Sequence, residues 1–198
     1  MTPVRVAVLA SGGGTNLQAL LDALTDSPLA RVARVITNRP DAGAVQRARR
    51  SGVPTTVLRT SDDPAELLAA LAASPGAELV VLAGYLRLVP PAVVARFRWR
   101  MINIHPALLP AHGGPGMYGR RVHEAVLASG AAESGATVHY VDEQYDRGPI
   151  IAQARVPVRP GDTAETLAAR VLEAEHELLP RVVLELARRG MPNEPVRI

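Results

Sequence analysis

The segment VRVAVLASGGGTNLQALLDAL, residues 4–24, indicates the class of fold that the chain adopts. It starts with a run rich in β-branched side chains, typical of a strand, and ends with leucines at helical spacing. Between them Gly12, Gly13 and Gly14 form a tight loop, and Thr15 or Asn16 can cap the helix. A strand, a glycine loop and a helix in this order direct backbone N–H groups at an anion. We therefore predict a phosphate site here, with a plain tight turn as the alternative.

The same alternation of strands and helices continues along the chain. Further strands are expected at 32–36, 55–58, 79–82, 101–105, 134–141 and 150–158. Helices are expected over 44–51, from Asp62 or Asp63 to 73, from 90, over 121–127 and from 162. The last two strands are close enough in sequence to pair antiparallel. We predict an α/β fold with a doubly wound, mostly parallel, Rossmann-like sheet that has an antiparallel end, in a single domain over residues 1–198.

The composition narrows the class of protein. No segment approaches the roughly 20 apolar residues of a membrane span, and the chain starts without the pattern of a signal peptide. Zero cysteines exclude disulfides, thiolate catalysis and cysteine metal sites. The formal net charge is only +3, the arginines are dispersed, and aromatic residues make up 3%. We therefore expect a cytoplasmic enzyme or binding protein that has no membrane and no nucleic-acid partner.

A second stretch, Met101-Ile102-Asn103-Ile104-His105-Pro106, places two polar side chains together. Its alternation is that of a strand, so Asn103 and His105 point to the same face. Pro106 keeps His105 extended, because its ring crowds the preceding residue out of the helical region. A carboxamide beside an imidazole can donate hydrogen bonds to one oxygen, as acyl transfer requires when a carbonyl becomes an oxyanion. The alternative is a strand end with two satisfied polar groups.

Asp146 lies in the polar turn before the last predicted strand, and by itself it is more typical of a turn former. However, the pattern Asn-x-His-Pro-x-x-Leu-Pro followed by Asp-x-Gly-x-Ile-Ile resembles the folate-dependent formyltransferases, and among them those that act on glycinamide ribonucleotide. The similarity extends over most of the chain, through Ser-Gly-x-Gly-Thr-Asn-Leu-Gln-Ala at 11–19, Leu-Ala-Gly-Tyr-Leu-Arg at 82–87, Gly-Ala-Thr-Val-His at 135–139 and Glu-His at 175–176.

This resemblance implies an activity and its catalytic residues. The formyl group of 10-formyltetrahydrofolate, the co-substrate, would pass to the amine of glycinamide ribonucleotide in de novo purine biosynthesis, giving formylglycinamide ribonucleotide and tetrahydrofolate. Asn103, His105 and Asp146 are the implied catalytic residues, and no metal is required. Asp146 is expected to raise the pKa of His105 by favouring its charged form. The implied partners are the small-molecule substrates and, in a homodimer, a second copy of the chain.

The resemblance also implies two binding sites. The ribonucleotide would be held by Gly14, Thr15, Asn16 and Glu175. The folate would be held by Leu86, Arg87, Leu88, Val89, Asn103 and Val141, and Leu109-Pro110 corresponds to a Leu-Pro that is cis in the family. His139 matches a family histidine near the site, with a satisfied strand histidine as an equal alternative.

Two segments depart from the family's pattern. The family carries a basic residue after strand three, where this chain has the acidic segment 60–64, so Arg59 is the candidate replacement on the folate side. The loop 111–119, which we expect to act as a lid, lacks the family's lysine or tyrosine.

Three alternatives stay open from the sequence. Methionyl-tRNA formyltransferase shares the triad but has a further carboxy-terminal domain and Arg-Trp-Arg-Gly where this chain reads Ala-His-Gly-Gly. Formyltetrahydrofolate hydrolase adds an amino-terminal regulatory domain, whereas the first strand is expected here at residue 4. A non-catalytic nucleotide-binding module of the same fold is the third, and the intact triad argues against it.

Overall fold

The computed structural model describes residues 2–60 and 63–198. In this part of the chain the strands are β1 (Val4–Leu9), β2 (Ala30–Thr37), β3 (Thr55–Val57), β4 (Leu79–Leu82), β5 (Met101–His105), β6 (Glu133–Tyr140) and β7 (Ile150–Pro157). The helices are α1 (Thr15–Leu24), α2 (Gly43–Arg50), α3 (Pro64–Ala72), α4 (Pro91–Arg96), α5 (Arg120–Ala128) and α6 (Ala164–Arg188). The strands form one sheet in the order β3-β2-β1-β4-β5-β6-β7.

The sheet has the predicted mixture of directions. Strands β1 to β5 pair in parallel, and β6 pairs antiparallel with both β5 and β7. β1 lies between β2 and β4, so the chain reverses its direction of winding at this point. Ligands of open α/β sheets bind at such a switch point, outside the carboxyl ends of the strands. The predicted fold class, including the antiparallel end, is confirmed.

Two apolar layers cover the sheet, and the strands divide their side chains between them. Val6 and Val8 of β1 pack with α1 and α6, whereas Ala7 and Leu9 pack with α3 and α4. β5 follows the same rule, because Ile102 and Ile104 face the first layer and Met101 faces the second. Since side chains alternate along a strand, Asn103 and His105 continue on the face of Met101, beyond its apolar layer.

The start of α1 differs from the prediction that Thr15 or Asn16 caps it. Gly14 occupies the N-cap position with φ 74°, and no side chain caps the helix. The left-handed conformation suits glycine, which lacks the Cβ that would otherwise strain it. A Cβ at Gly14 would also lie 2.8 Å from the Cα of Ala44 at the start of α2. Without a capping role, the side chain of Asn16 is available for another partner.

Other helix ends follow their sequence signals. Asp63 caps α3 by accepting a hydrogen bond from the N–H of Ala65 at 2.8 Å, while Asp62 lies outside the described residues. Thr163 and Thr166 form a reciprocal capping box at the start of α6. None of the helices described in residues 2–60 and 63–198 is long and apolar enough to cross a membrane.

Candidate active site

A cavity of about 830 Å³ opens at the carboxyl ends of the strands. It is lined by the glycine loop, by the segment after β4, by the end of β5, by the expected lid, by the turn between β6 and β7, and by α6. The structure brings all of the predicted site residues to this cavity: Gly14, Thr15, Asn16, Leu86, Arg87, Leu88, Val89, Asn103, His105, Val141, Asp146 and Glu175.

The carboxylate of Asp146 joins the pair at the end of β5. Its Oδ2 lies 3.5 Å from His105 Nδ1, and its Oδ1 lies 3.4 Å from Asn103 Nδ2. The side chains of His105 and Asp146 are only 4% and 9% exposed. Asp146 adopts φ 57°, a conformation uncommon for residues other than glycine, which directs its side chain into the cavity rather than toward solvent. The three groups therefore meet, as their predicted common site requires.

Burial decides the pKa of His105. Removal from water lowers the pKa by more than the charge of Asp146 and the carbonyl of His112 raise it. The predicted upward shift is therefore wrong in its net direction, although Asp146 acts with the predicted sign. For Asp146 itself, burial raises the pKa, but the contact with His139, the charge of His105 and the hydrogen bond from the N–H of Gly114 outweigh it, so the net pKa is lowered. Asp146 is accordingly ionised at neutral pH.

His139 takes part in the same cluster, and both interpretations of it from the sequence apply, because it lies in the site and both of its ring nitrogens have partners. It faces Asn103 across the antiparallel β5–β6 pair. Its Nδ1 donates to the carbonyl of Tyr140 at 2.8 Å, so its Nε2 accepts from Asn103 Nδ2 at 3.0 Å. Its Nε2 also lies 3.5 Å from Asp146 Oδ1. His139 thus orients the carboxamide, and the polar pair opposed in register is the signal that could have revealed it.

The glycine loop and α6 form one end of the cavity. Asn16 Nδ2 donates to Glu175 Oε2 at 3.0 Å, and Glu175 is 7% exposed. Burial raises the pKa of Glu175 to about 7, and the hydrogen bond from Asn16 offsets only part of this effect. Asn16 Oδ1 is buried and has no hydrogen-bond partner among the described residues. The amide oxygen of Asn16 and the carboxyl group of Glu175 can therefore both bind a polar ligand at this end.

The opposite end is apolar. Leu86 and Leu88 are half exposed at its mouth, and Val89 is buried. Arg87 lines the cavity, whereas Arg59 does not, and the Arg59 Nε lies 3.7 Å from Glu66 Oε1. Arg59 is therefore poorly placed as the replacement basic residue. The remainder of that acidic segment includes Ser61 and Asp62, which lie outside the described residues.

Ser11 connects the two ends, a link that the sequence did not indicate. Its Oγ donates to Asn38 Oδ1 at 2.6 Å and accepts from the N–H of Leu86 at 3.1 Å. Its own N–H donates to the carbonyl of Gly84 at 3.0 Å. The side chain of Ser11 is buried, so its hydrogen bonds fix the segment after β4 relative to the glycine loop.

Two further features concern the surroundings of the cluster. The Leu109-Pro110 peptide is cis, as predicted. Its loop is held by Thr137, whose Oγ accepts from the Leu109 N–H at 3.1 Å. Within the described residues, no group of three or more His, Cys, Asp or Glu side chains could hold a metal ion.

Comparison with known proteins identifies the family. Residues 4–183 match the formyl transferase family. The phosphoribosylglycinamide formyltransferase of Escherichia coli K12 is 38% identical over 186 residues, which cover 91% of this chain and 85% of that protein. The chloroplastic phosphoribosylglycinamide formyltransferase of Arabidopsis thaliana is 46% identical over 187 residues, covering 90% of this chain and 64% of that protein, so the chain spans just under two thirds of this plant relative.

Solved structures agree with the sequence relatives. Glycinamide ribonucleotide transformylase 1 from Symbiobacterium toebii superposes with a TM-score of 0.89 at 40% identity, covering 99% of this chain and 93% of that one. The family match over most of the length and these similarities show that the chain belongs to the formyl transferase family, among the phosphoribosylglycinamide formyltransferases.

Proposed function

We propose that this protein transfers the formyl group of 10-formyltetrahydrofolate to the amine of glycinamide ribonucleotide, in de novo purine biosynthesis. The products are formylglycinamide ribonucleotide and tetrahydrofolate. The meeting of Asn103, His105 and Asp146 in a cavity with one polar and one apolar end carries this proposal. The names of the bacterial and plant relatives support it.

Asn103 and His105 would stabilise the charge that develops on the formyl oxygen. Asn103 donates one amide N–H to His139, and its second N–H makes only a long contact of 3.4 Å with Asp146 Oδ1, so this second N–H would donate to the formyl oxygen. His105 donates its Nε2–H to the carbonyl of His112 at 2.8 Å, so Nδ1 is the ring nitrogen left for the reaction. A donor aimed at a developing oxyanion is worth about 3 kcal/mol where water is excluded. Asp146 beside Nδ1 favours the protonated ring that donates best.

The proton balance assigns a second task to Asp146. The amine nitrogen bonds to the formyl carbon and loses a proton, while the bond from that carbon to the folate nitrogen breaks and this nitrogen gains a proton. The ionised carboxylate of Asp146 can orient a water that carries the proton between the two nitrogens. Its lowered pKa keeps it an acceptor throughout the neutral range.

The two ends of the cavity suit the two substrates. Gly14, Thr15 and Asn16 bring the backbone N–H groups at the start of α1 toward the phosphate, and Glu175 offers its carboxylate to the amine. The apolar side chains of Leu86, Leu88, Val89 and Val141 would flank the folate ring, with Arg87 supplying positive charge. Asn103, between the ends, would contact the formyl group.

An assay of formyl transfer with and without glycinamide ribonucleotide tests the proposal. We expect release of tetrahydrofolate to depend on the nucleotide. Equal loss of formyl groups to water without the nucleotide would instead identify a formyltetrahydrofolate hydrolase. No turnover under either condition, with both ligands bound, would favour a non-catalytic module.

Recognition of the amine by Glu175 predicts a pH dependence. Because the pKa of Glu175 is about 7, the carboxylate forms as the pH rises through neutrality, and KM for the nucleotide should fall over the same range. Glu175→Gln should raise this KM by about tenfold, since a hydrogen bond to a charged group contributes about 1.5 kcal/mol. It should also remove the part of the pH dependence of KM that is due to Glu175. Steady-state kinetics at several pH values measure both effects.

The exposed Glu177, on the same helix, supplies the matched control through Glu177→Gln, which should leave KM unchanged. Folding stability gives a second readout. The pKa of Glu175 is raised above its ordinary value of 4.5, so stability should fall as the pH rises between 4.5 and about 7, and Glu175→Gln should abolish that fall. An unchanged KM profile in Glu175→Gln would remove Glu175 from amine recognition.

Ser11→Ala should raise KM for both substrates by about fivefold and change kcat little, because the N–H of Leu86 loses an acceptor worth about 1 kcal/mol. Ser134→Ala is a matched control, since its buried hydroxyl has no hydrogen-bond partner among the described residues. Initial rates with each substrate varied in turn give the comparison. Equal KM values in wild type and Ser11→Ala would show that Ser11 does not connect the two ends.

We also propose that the protein acts in the cytoplasm, on small molecules alone, and forms a homodimer. The lack of cysteine agrees with a reducing compartment. The Arabidopsis relative, by contrast, is named as chloroplastic. Light scattering of the purified chain measures the assembly directly.

A further inference from the structure

The backbone of residues 112–114 contacts both members of the His105–Asp146 pair. The carbonyl of His112 accepts the Nε2–H of His105 at 2.8 Å. The N–H of Gly114 donates to Asp146 Oδ2 at 2.9 Å. His112 adopts φ 56° and Gly114 φ 101°, so the chain turns twice within three residues. This conformation directs one carbonyl and one N–H to the same side.

Close packing holds this segment against the pair. A Cβ at Gly113 would lie 3.1 Å from the Cβ of Asp146 and 2.5 Å from Cδ2 of Leu109. The Leu109 side chain is only 5% exposed and follows the strand that carries His105, so it has little room to move. Gly113 does not need a positive φ, so its missing side chain is explained by the approach of the backbone to Asp146 rather than by its conformation.

Each contact holds one end of a side chain and turns its other end toward the other polar groups of the cavity. With Nε2 bonded to His112, His105 turns Nδ1 toward Asp146 and the cavity. With Oδ2 bonded to Gly114, Asp146 turns Oδ1 toward Asn103 and His139. A carbonyl favours the protonated imidazole, and an N–H favours the ionised carboxylate. Both contacts thus stabilise the charged pair.

We propose that residues 112–114 form a backbone clamp, which positions His105 and Asp146 for formyl transfer through Gly113 and two main-chain hydrogen bonds. The clamp rests on the proposed function. It acts through main-chain atoms, so the imidazole of His112 has no part in it. Gly113 is therefore a positioning residue, which acts through the pair and does not touch the substrate.

Gly113→Ala tests the clamp. We expect kcat to fall by at least about tenfold with KM values for both substrates within about twofold, since a displaced donor weakens transition-state stabilisation more than binding. Gly76→Ala is the matched control outside the cavity, because Gly76, like Gly113, has no positive φ, and a Cβ there would make only an ordinary contact, 3.4 Å from the carbonyl oxygen of Ala72. His112→Asn keeps the carbonyl and tolerates the left-handed conformation, so its kcat should stay within about twofold of wild type.

The pH profile of kcat gives a readout that a general loss of folding would not move. His105 faces Asp146, His139, His112 and also His123 on α5, so the pH profile of each variant must be compared with that of wild type in one buffer series. Gly113→Ala should narrow the active pH range from both sides, because the carboxylate becomes harder to ionise and the imidazole harder to protonate. Nitrogen-15 spectra of the histidine rings should show a bonded Nε2–H on His105 in wild type, and a weakened one in Gly113→Ala.

The outcomes separate the clamp from the proposed function. Wild type without formyl transfer would refute the function, whatever the variants do. Wild type with transfer and Gly113→Ala with unchanged kcat, pH profile and ring spectrum would overturn the clamp alone. A large loss in His112→Asn would also overturn it, because the imidazole would then be the working group. If Gly113→Ala does not fold, the ring spectrum of wild type and the rate of His112→Asn still decide.

The pH profiles of Gly113→Ala, Gly76→Ala and His112→Asn are compared with that of His139→Gln, which changes a group that faces the pair. His139→Gln should alter the profile through Asn103 and Asp146 without altering the His105 Nε2–H signal. A His105 ring signal lost in His139→Gln would place the support of Nε2 on β6 instead of the clamp.

Discussion

Asp146→Asn is expected to lower kcat by about a thousandfold while KM for either substrate changes by less than about threefold, a loss of about 4 kcal/mol from the transition state. The asparagine keeps the size of the side chain and tolerates φ 57°, so the turn should persist. It removes the negative charge beside His105 Nδ1 and the carboxylate that would orient the water that carries the proton. Both losses affect the reaction more than binding.

Asp142→Asn controls for a merely structural effect. Asp142 lies in the same turn and accepts a hydrogen bond from the N–H of Gln144 at 2.9 Å, which asparagine can also accept. We expect its kcat to match wild type. If Asp146→Asn retained most of the wild-type rate, Asp146 would be a turn former only, which is the alternative that its position in a polar turn allows.

Asn103→Ala and His105→Ala should each lower kcat/KM by about a hundredfold or more, since each removes one donor to the formyl oxygen. The double variant should lose far less than the product of the two effects, because both donors act on a single atom and neither works well alone. Rapid-quench measurements of the single turnover separate this chemical step from product release.

Asn193→Ala, at an exposed position near the carboxyl end, serves as the control for loss of an amide. Multiplicative losses in the double variant would mean that the two side chains serve separate steps. Their shared face on β5 would then be a coincidence of strand geometry.

The sequence predicted the regular part of the fold because local patterns determine it. The bounds of β4 and β5 were predicted correctly, since an apolar run and a strict alternation both end at clear breaks. β2 begins at Ala30 rather than at 32, because pairing with Val4 of β1 extends it beyond its own apolar pattern. The cap of α1 was wrong for a similar reason: packing of Gly14 against Ala44 selects a left-handed glycine.

In the candidate site, too, one part could be predicted from the sequence and another part could not. That its predicted side chains lie together could be expected from the spacing of a motif, and all of them line the cavity. The roles of the His112 carbonyl and the Gly114 N–H could not be predicted, because almost every residue carries such groups. Only the tertiary structure directs these two at His105 and Asp146. The direction of the His105 pKa shift depends on burial, which a motif does not report.

The most direct test of the central claim is a crystal structure with glycinamide ribonucleotide and a folate analogue that carries a non-transferable carbonyl in place of the formyl group. The carbonyl oxygen should lie within about 3.2 Å of both Asn103 Nδ2 and His105 Nδ1, with a water bound to Asp146. A carbonyl oxygen that points away from both nitrogens, in a complex with both ligands fully bound, would contradict it.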